Sequence, residues 1–285
     1  MEKPAQPLVS IITATKNRRE LLRRLIENIL SLSYPRVEHI IMDGLSTDGT
    51  VEMLREYEAR HPGRVRWASQ RDRHQVEAIN RGLQMAQGEF VSITHDDDGW
   101  LPDGVSALVD AWQKEKRGDI LYGNLYAVSP DGTERTIKRK LYTINDLVNR
   151  GYQGPQDGSL FNRKWLADVG LLNENVEYVP EHDLFLRIME RGGSLLFIDR
   201  IVGTTLVHEG KKSWRGRAKG WDETWQVNRM HGAKLWSPFT LIYVKNKYLN
   251  APYALLAKRF PGFSAAAKKI FRAPTYEDES KHGKK

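Results

Sequence analysis

Apolar strand patterns alternate with helical patterns over the first hundred residues, and this alternation restricts the fold more than any other feature of the sequence. Leu8–Ala14 is rich in apolar and β-branched residues, which predicts a buried strand of a parallel sheet. Residues 19–32 repeat leucine and isoleucine at the spacing of one helix face. Further strands are predicted over Val37–Met42, Val65–Ala68 and Phe90–Thr94, and helices over Thr50–Tyr57 and Gln75–Ala86. The pattern is typical of an α/β fold with an open, mostly parallel sheet flanked by helices.

A polar cluster follows each of these predicted strands. The clusters are Thr13–Arg18, Asp43–Asp48, Asp72 and Asp96–Asp98. Ligands of open α/β sheets bind outside the carboxyl ends of the strands. The sequence therefore predicts a ligand site at this edge of the sheet.

The basic charge is confined to the C-terminal part of the chain. Its 285 residues carry a net charge of +8, but those from His208 onward have 17 basic and 6 acidic residues, a net charge of +11. The preceding residues are slightly acidic, so we expect no nucleic-acid partner, although the basic part can meet an anionic surface.

The absence of cysteine excludes disulfides, thiolate zinc sites and a cysteine nucleophile. With no secretory signal and no apolar run of about 18–20 residues, we expect a cytoplasmic protein.

Tryptophans and basic residues are interleaved in the C-terminal part. We predict a helical, basic, tryptophan-rich extension over residues 211–273 and a flexible tail over residues 274–285. Such helices suit peripheral contact with the inner face of a membrane, or with an anionic lipid-linked acceptor. The alternative is that the tryptophans pack the extension onto the body, and the sequence leaves both open. The tryptophans are Trp214, Trp221, Trp225 and Trp236.

Carboxylates are the side chains most able to carry chemistry in this sequence. Asp96–Asp98 repel one another, and a divalent cation shared with phosphate oxygens would offset their charge; the alternative is a solvated loop that caps the next helix. Asp43 and Asp72 can accept hydrogen bonds from a ribose hydroxyl or a base N–H, or can simply belong to turns.

Glu181 and Asp183 lie at the start of a predicted helix, Glu181–Arg191. There they suit a general base, or they stabilise the helix N-terminus. Their i, i+2 spacing directs them to different sides, so we expect only one to face a site. His208 suits a metal ligand, a phosphate contact or a structural role.

Five segments resemble, in the same order, motifs of the family 2 glycosyltransferases. Residues 9–18 (VSIITATKNR) resemble the opening strand of that family, and residues 39–50 (HIIMDGLSTDGT) resemble its aspartate-containing turn. The other three are residues 72–82 (DRHQVEAINRG), 96–102 (DDDGWLP) and 181–187 (EHDLFLR). The resemblance implies a GT-A fold over residues 1–210, with a nucleotide-binding part over residues 8–100 and an acceptor-binding part over residues 101–210.

The resemblance also implies an activity and roles for individual residues. It implies inverting transfer of a sugar from a nucleotide diphosphate sugar, by default UDP-linked, to a hydroxyl of a glycan or lipid-linked acceptor in polysaccharide or glycoconjugate biosynthesis. Asp97, Asp98 and His208 would hold a divalent cation, Mn²⁺ or Mg²⁺. Glu181 would be the general base, with Asp183 as the alternative. The positions that correspond to nucleotide contacts are Thr13, Ala14, Thr15, Lys16, Arg18, Asp43, Asp72, Arg81 and Asp96.

Some positions depart from the family's motifs. Lys16 replaces a tyrosine, His74 replaces a glycine, and Glu181 replaces an aspartate, which lengthens the base by one methylene. Two other functions share features with this sequence. A sugar-phosphate nucleotidyltransferase would need a glycine-rich opening loop, which Thr13–Arg18 lacks. A non-catalytic sugar-nucleotide or glycan-binding module would not need both the aspartate triplet and the Glu181 helix.

Overall fold

The computed structural model describes residues 6–129, 131–151, 155–206 and 217–249. Its first part is a parallel sheet wound with helices. The strands are β1 (Val9–Thr15), β2 (Val37–Asp43), β3 (Val65–Ser69) and β4 (Phe90–Ile93). The helices between them are α1 (Arg19–Leu30), α2 (Thr50–Arg60) and α3 (Gln75–Met85). All neighbours in the order β3-β2-β1-β4 are parallel, so the carboxyl ends of these strands meet at one edge.

The second part extends the same sheet with strands of both directions. The strands are β5 (Asp98–Trp100), β6 (Ile120–Val128), β7 (Glu134–Ile137), β8 (Ser159–Asn162) and β9 (Leu195–Leu206). The helices are α4 (Gly104–Glu115), α5 (Ile144–Arg150), α6 (Trp165–Val169) and α7 (Pro180–Glu190). Strand β8 lies antiparallel between β4 and β6, while β9 runs parallel to β6 and carries β5 at the edge. The predicted α/β fold with an open, helix-flanked sheet is confirmed.

The central strands are buried on both faces because helices cover the sheet on either side. Every residue of β1 and β2 is buried. One apolar cluster joins alternate residues of these strands, such as Ile12 and Ile40, to helices α3, α5 and α7. Another joins Val9, Ile11 and Phe90 to helices α1 and α4. Each fully buried aliphatic side chain stabilises the fold by about 1.5–3 kcal/mol, so these two layers hold the sheet edge rigid.

The described part of the C-terminal extension is mainly helical. It contains α8 (Arg217–Met230), α9 (Pro238–Val244) and a π-helical turn over Lys245–Leu249. The extension packs on the body: the backbone N–H of Lys234 donates to Asn149 Oδ1 at 2.8 Å, and a Cβ at Gly151 would lie 2.2 Å from the Phe239 ring. Among the described helices, none is long and apolar enough to span a membrane.

Two of the four extension tryptophans pack inside the extension itself. The rings of Trp221 and Phe239 stack with centroids 5.5 Å apart, and those of Trp225 and Tyr243 lie 5.2 Å apart. Trp236 is 83% exposed. Trp214 lies outside the described residues, as do residues 207–216 and everything beyond residue 249.

The structure corrects two sequence-based predictions about the second part. Asp98 begins strand β5 rather than belonging wholly to a loop, because Asp98–Trp100 pairs with Gly203–Thr205. The apolar run Leu195–Asp199 predicts a strand that ends at Asp199, but β9 runs to Leu206 because its last residues pair with both β5 and β6. These pairings join segments that are more than seventy residues apart, and local patterns do not report such contacts.

Candidate active site

The loops that follow β1 and β2 are hydrogen-bonded to each other. The Asn17 N–H donates to Ser46 Oγ at 2.7 Å, and the Thr47 N–H donates to Asn17 Oδ1 at 2.8 Å. Asp48 accepts from the Arg19 N–H at 3.0 Å and from the Thr50 N–H at 3.2 Å, so one carboxylate serves the first turns of α1 and α2. The two loops therefore form a single rim at the carboxyl edge of the sheet.

Asp43 lies at the end of β2 and is 1% exposed. Its Oδ2 accepts from the Ser46 N–H at 3.1 Å and from Ser69 Oγ at 2.5 Å. Within the described residues its Oδ1 is buried and has no hydrogen-bond partner. A buried carboxylate oxygen without a donor is costly, and such an atom at a ligand edge is a candidate acceptor for a ligand N–H or O–H.

Lys16 and Asp72 converge over Gly44, the residue after Asp43. A Cβ at Gly44 would lie 2.9 Å from Asp72 Oδ2 and 3.3 Å from Lys16 Cδ. A side chain at this position would push against both groups. The structure thus brings together Lys16, Asp43 and Asp72, which lie at or just after the ends of three different strands.

Arg18 pairs with two buried carboxylates of the aspartate triplet. Its Nη1 lies 2.5 Å from Asp96 Oδ1, and its Nη2 lies 3.4 Å from Asp97 Oδ2. Thr15 Oγ1 donates to Asp96 Oδ2 at 3.1 Å. Burial raises the pKa of Asp96; the Arg18 guanidinium opposes this shift, and the charge of Asp97 adds to it.

Asp98 faces a different group from its two neighbours. His95, Asp98 and Asp157 each offer one ligand atom, and these atoms lie within 4.8 Å of one another. Carboxylate oxygens suit Mg²⁺ and Mn²⁺, and an imidazole nitrogen favours the transition metal of the two. The donor set therefore fits a divalent cation. The grouping includes Asp98 but not Asp97, whose predicted role as a ligand stays a prediction.

His95 and Asp157 are metal-ligand candidates that the sequence analysis missed. Strand β8 is antiparallel to β4 with Phe90 opposite Asn162, so continuing this register places residue 157 opposite residue 95. Gly158 has a positive φ of +62°, and a Cβ there would lie 2.6 Å from Leu125 Cδ2. An aspartate before a glycine is only a weak indication of a metal ligand in the sequence. The pairing of β8 with β4 is what brings Asp157 close to His95. His208, the third predicted ligand, lies outside the described residues.

Three other predicted nucleotide contacts lie within or beside the sheet. Thr13 is fully buried; its Oγ1 donates to the Thr94 carbonyl at 2.8 Å and lies 3.0 Å from His39 Nε2. Ala14 is buried in β1. Arg81 donates to the Arg71 carbonyl at 3.0 Å and pairs with Glu77 at 2.8 Å, so it supports the turn that carries Asp72. Direct nucleotide contact by these residues stays a prediction.

The first turn of α7 carries Glu181 and Asp183, both of which are buried. Asp183 accepts from Arg187 Nε at 2.9 Å and lies 3.1 Å from His231 Nε2. Burial alone would raise the pKa of Asp183, but the contacts with His231 and Arg187 outweigh burial and lower it. Asp183 thus faces the extension and is stabilised as a carboxylate.

The segment before α7 is tied to the elements that carry Asp72. Asn80 on α3 donates through Nδ2 to the Leu172 carbonyl at 2.9 Å and accepts from the Leu172 N–H at 3.0 Å. Arg73, the neighbour of Asp72, lies 2.5 Å from Glu174. The approach to α7 is therefore anchored on the same half of the sheet that forms the rim.

Residues 10–169 match the protein-family model described as Glycosyl transferase family 2. The match covers β1 to α6 and ends before α7. A glycosyl transferase of Escherichia coli strain K12 that is named for colanic acid biosynthesis is 24% identical over 251 residues, which cover 85% of this chain and 89% of that protein.

Solved structures share the fold at low sequence identity. A mannosyltransferase from Pyrobaculum calidifontis, described as a complex with GDP-Man and Mn²⁺, has a TM-score of 0.62 and 20% identity, covering 97% of this chain and 83% of that one. S. aureus TarS, described as a complex with UDP-GlcNAc, has a TM-score of 0.63 and 14% identity, covering 95% of this chain and 77% of that one. The glycosyltransferase fold expected from the sequence motifs is thereby confirmed.

Proposed function

Because residues 10–169 match its model, this chain belongs to glycosyl transferase family 2 and is a glycosyltransferase, and we propose that it moves a sugar from a UDP-linked donor to an acceptor hydroxyl with inversion. The product would be a polysaccharide or glycoconjugate, as for the colanic acid relative. The observation that carries the proposal is the convergence of Asp43, Lys16 and Asp72 at the rim.

Donor recognition would use the acceptor atoms of the rim. Asp43 Oδ1 suits an N–H of the base, because it is a buried oxygen that the described residues leave without a donor. Asp72 suits the ribose hydroxyls, and Lys16 beside it suits negative charge of the donor. TarS with UDP-GlcNAc and the mannosyltransferase with GDP-Man show that this fold accepts more than one nucleotide. UDP is the default drawn from the sequence motifs.

A divalent cation, Mn²⁺ or Mg²⁺, would be held by His95, Asp98 and Asp157. The spacing of their ligand atoms supports this assignment, and the mannosyltransferase complex shows that a protein of this fold can hold Mn²⁺. When bound, such a cation supplies positive charge that stabilises the leaving diphosphate. Arg18, which pairs with Asp96 and Asp97, supplies a further positive charge near the same edge.

Glu181 would act as the general base. A carboxylate within hydrogen-bond reach of the acceptor hydroxyl takes its proton as the oxygen attacks the anomeric carbon. Asp183 is the weaker candidate, because His231 and Arg187 already occupy its oxygens and lower its pKa. The two helix neighbours thus divide into one base and one structural carboxylate.

The experiment that tests this function measures donor binding and turnover in the same variants. UDP-, GDP- and dTDP-sugars are titrated by calorimetry with and without Mn²⁺, and nucleoside diphosphate release is followed. We expect D43N to weaken binding of the preferred donor about tenfold or more, because an acceptor oxygen is lost. We expect E181Q to keep donor binding and to lower turnover about 100-fold or more.

Each variant controls for the other, since one should change binding and the other the chemical step. Release of pyrophosphate instead of a nucleoside diphosphate would identify a nucleotidyltransferase and refute the proposal. A near-wild-type rate for E181Q would remove the general-base role from Glu181.

We also propose that the C-terminal extension contacts an anionic membrane surface, where the acceptor would lie. Leu241, Val244 and Tyr248 lie at i, i+3 and i+7 spacing along α9 and the turn after it, and all three are exposed. Leu235 and the 83%-exposed Trp236 lie just before α9 in the chain and are also exposed, and we call these five residues the α9 face. The part of the chain from His208 onward has a net charge of +11, which complements anionic lipid. A lipid-linked acceptor would then be met at the bilayer surface.

A further inference from the structure

Helix α8 contacts the segment that carries Glu181 on both sides of that residue. On the N-terminal side, Glu223 of α8 accepts from the backbone N–H groups of Glu177 at 3.2 Å and Tyr178 at 2.6 Å. A Cβ at Gly220, one turn earlier in α8, would lie 3.7 Å from Tyr178 Cβ. The chain entering α7 is therefore bound to α8 through its backbone.

On the C-terminal side, the next residue, His182, is bound to the same helix. His182 is fully buried, and its Nε2 lies 2.8 Å from Asn228 Oδ1. Burial lowers the pKa of His182 to about 4, so the ring is neutral and Nε2 donates to the amide oxygen. A buried hydrogen bond of this kind fixes the rotation of the first turn of α7.

One residue further along, Asp183 lies 3.1 Å from His231 Nε2, just beyond the end of α8. The other nitrogen of His231, Nδ1, lies 2.9 Å from Glu190 Oε1, at the far end of α7. One imidazole therefore joins both ends of α7 to the extension. Arg187 also faces Asp183, at 2.9 Å, and His182 is the other titratable group beside this contact.

These contacts replace a stabilising feature that α7 lacks. Its N-cap, Val179, has no side chain that could accept from the first-turn N–H groups. A helix end without a cap is prone to local opening, and a base must be held within a fraction of an ångström of its working position. The first turn of α7 takes its anchoring from α8 instead.

We infer that Asn228 and His231 are positioning residues, which hold the carboxylate of Glu181 in place through the first turn of α7. This inference rests on the proposed general-base role of Glu181. It makes the C-terminal extension part of the catalytic machinery, although the family model ends at residue 169. The extension would then be required for the rate of transfer and dispensable for donor binding.

The test compares full-length variants N228A, H231A and H231Q with Q226A, an exposed position of α8. We expect N228A and H231A to lower kcat about tenfold while the KM for the donor stays within twofold, because positioning of the base is lost but the rim is intact. H231Q keeps an N–H donor towards Asp183 and should restore part of the rate. Q226A should match the wild type.

A pH profile separates positioning from general stability. Burial alone would lower the pKa of His231, but its contacts with Asp183 and Glu190 outweigh burial and raise it. The ion pair between His231 and Asp183 is therefore present at low pH and is lost as the pH rises through the raised pKa of His231. We expect the wild-type kcat to have an alkaline limb that H231Q lacks. Thermal unfolding of each variant shows whether it is folded under assay conditions.

The double variant E181Q/N228A distinguishes the two proposals. If Asn228 acts through Glu181, N228A lowers kcat in the wild-type background and not in the E181Q background. A folded N228A with wild-type kcat, or losses that multiply in the double variant, would overturn the positioning role alone. An E181Q with wild-type kcat would remove the general base on which this inference rests, whereas release of pyrophosphate instead of a nucleoside diphosphate would overturn the proposed function itself.

Discussion

At the residue scale, the roles of neighbouring carboxylates are decided by what each one faces. Asp96 and Asp97 face Arg18, whereas Asp98 faces His95 and Asp157. The sequence predicted a charge-offsetting partner for the triplet, and the resemblance assigned Asp97 and Asp98 to the cation. The division between a guanidinium and a cation site could not be read from three adjacent aspartates, because the strand that begins at Asp98 redirects the chain.

The pair of Arg18 with Asp96 leads to a prediction about stability and pH. We expect R18M to destabilise the fold by about 1–3 kcal/mol, because two buried carboxylates lose a partner. The loss stays below that of a fully buried pair, since the Arg18 side chain is 34% exposed. Urea unfolding at pH 4 and pH 8 measures this difference.

The sign of the pH dependence follows from the pKa of Asp96, which burial raises. The folded state then holds its proton more tightly, so stability falls as pH rises from the ordinary pKa through the raised one. Without Arg18 the pKa of Asp96 rises further, and the destabilisation should be larger at pH 8 than at pH 4. R23M, which removes an exposed ion pair of α1, is the control and should show little change. Equal losses at both pH values would contradict this account.

At the element scale, β8 is the strand that completes the candidate cation site. It enters antiparallel between β4 and β6, which places the loop containing Asp157 beside the end of β4. The run Ser159–Phe161 predicts a short strand, but it gives neither the partner of that strand nor its direction. Strand direction depends on how the connecting chain closes around the sheet, and the apolar pattern of four residues does not contain that information.

Gly158 provides a test of this geometry. We expect G158A to weaken Mn²⁺ binding about tenfold and to destabilise the fold by about 1–3 kcal/mol, because the new Cβ would meet Leu125 Cδ2 at 2.6 Å and displace Asp157. G132A is the matched control, since Gly132 also has a positive φ but no atom within 4 Å of its Cβ position. Mn²⁺ titration and thermal unfolding measure the two effects. Unchanged Mn²⁺ affinity in G158A would remove Asp157 from the cation site.

At the scale of the whole molecule, the C-terminal extension has two sides with different roles. One side packs on α5 and α7 through contacts such as Lys234–Asn149 and His182–Asn228. The other side presents the α9 face to solvent. The sequence left packing on the body and membrane contact as alternatives for the tryptophans. Trp221 and Trp225 stack on Phe239 and Tyr243 inside the extension, and Trp236 is exposed.

The exposed side leads to a prediction about membrane contact. We expect the full-length protein to co-sediment with phosphatidylcholine–phosphatidylglycerol vesicles and not with phosphatidylcholine alone, because apolar insertion and charge act together. The double variant W236S/L241S should bind several-fold less, whereas L141S, which removes a 57%-exposed leucine elsewhere, should bind like the wild type. Equal binding of W236S/L241S and the wild type would refute the α9 face as the contact. A W236S/L241S variant that loses self-association but keeps its binding to vesicles would also refute the α9 face as the membrane contact.

The sequence by itself determined the helices and strands of the first hundred residues and the edge at which polar side chains collect. It could do so because apolar periodicity and strand-to-helix alternation are local consequences of burial. The tertiary structure alone decided that Asp157 meets His95, that β5 pairs with β9, and that α8 holds the turn bearing Glu181. Those contacts join segments separated by tens of residues, and their free energy depends on strand register and on the closure of long connections rather than on any local pattern.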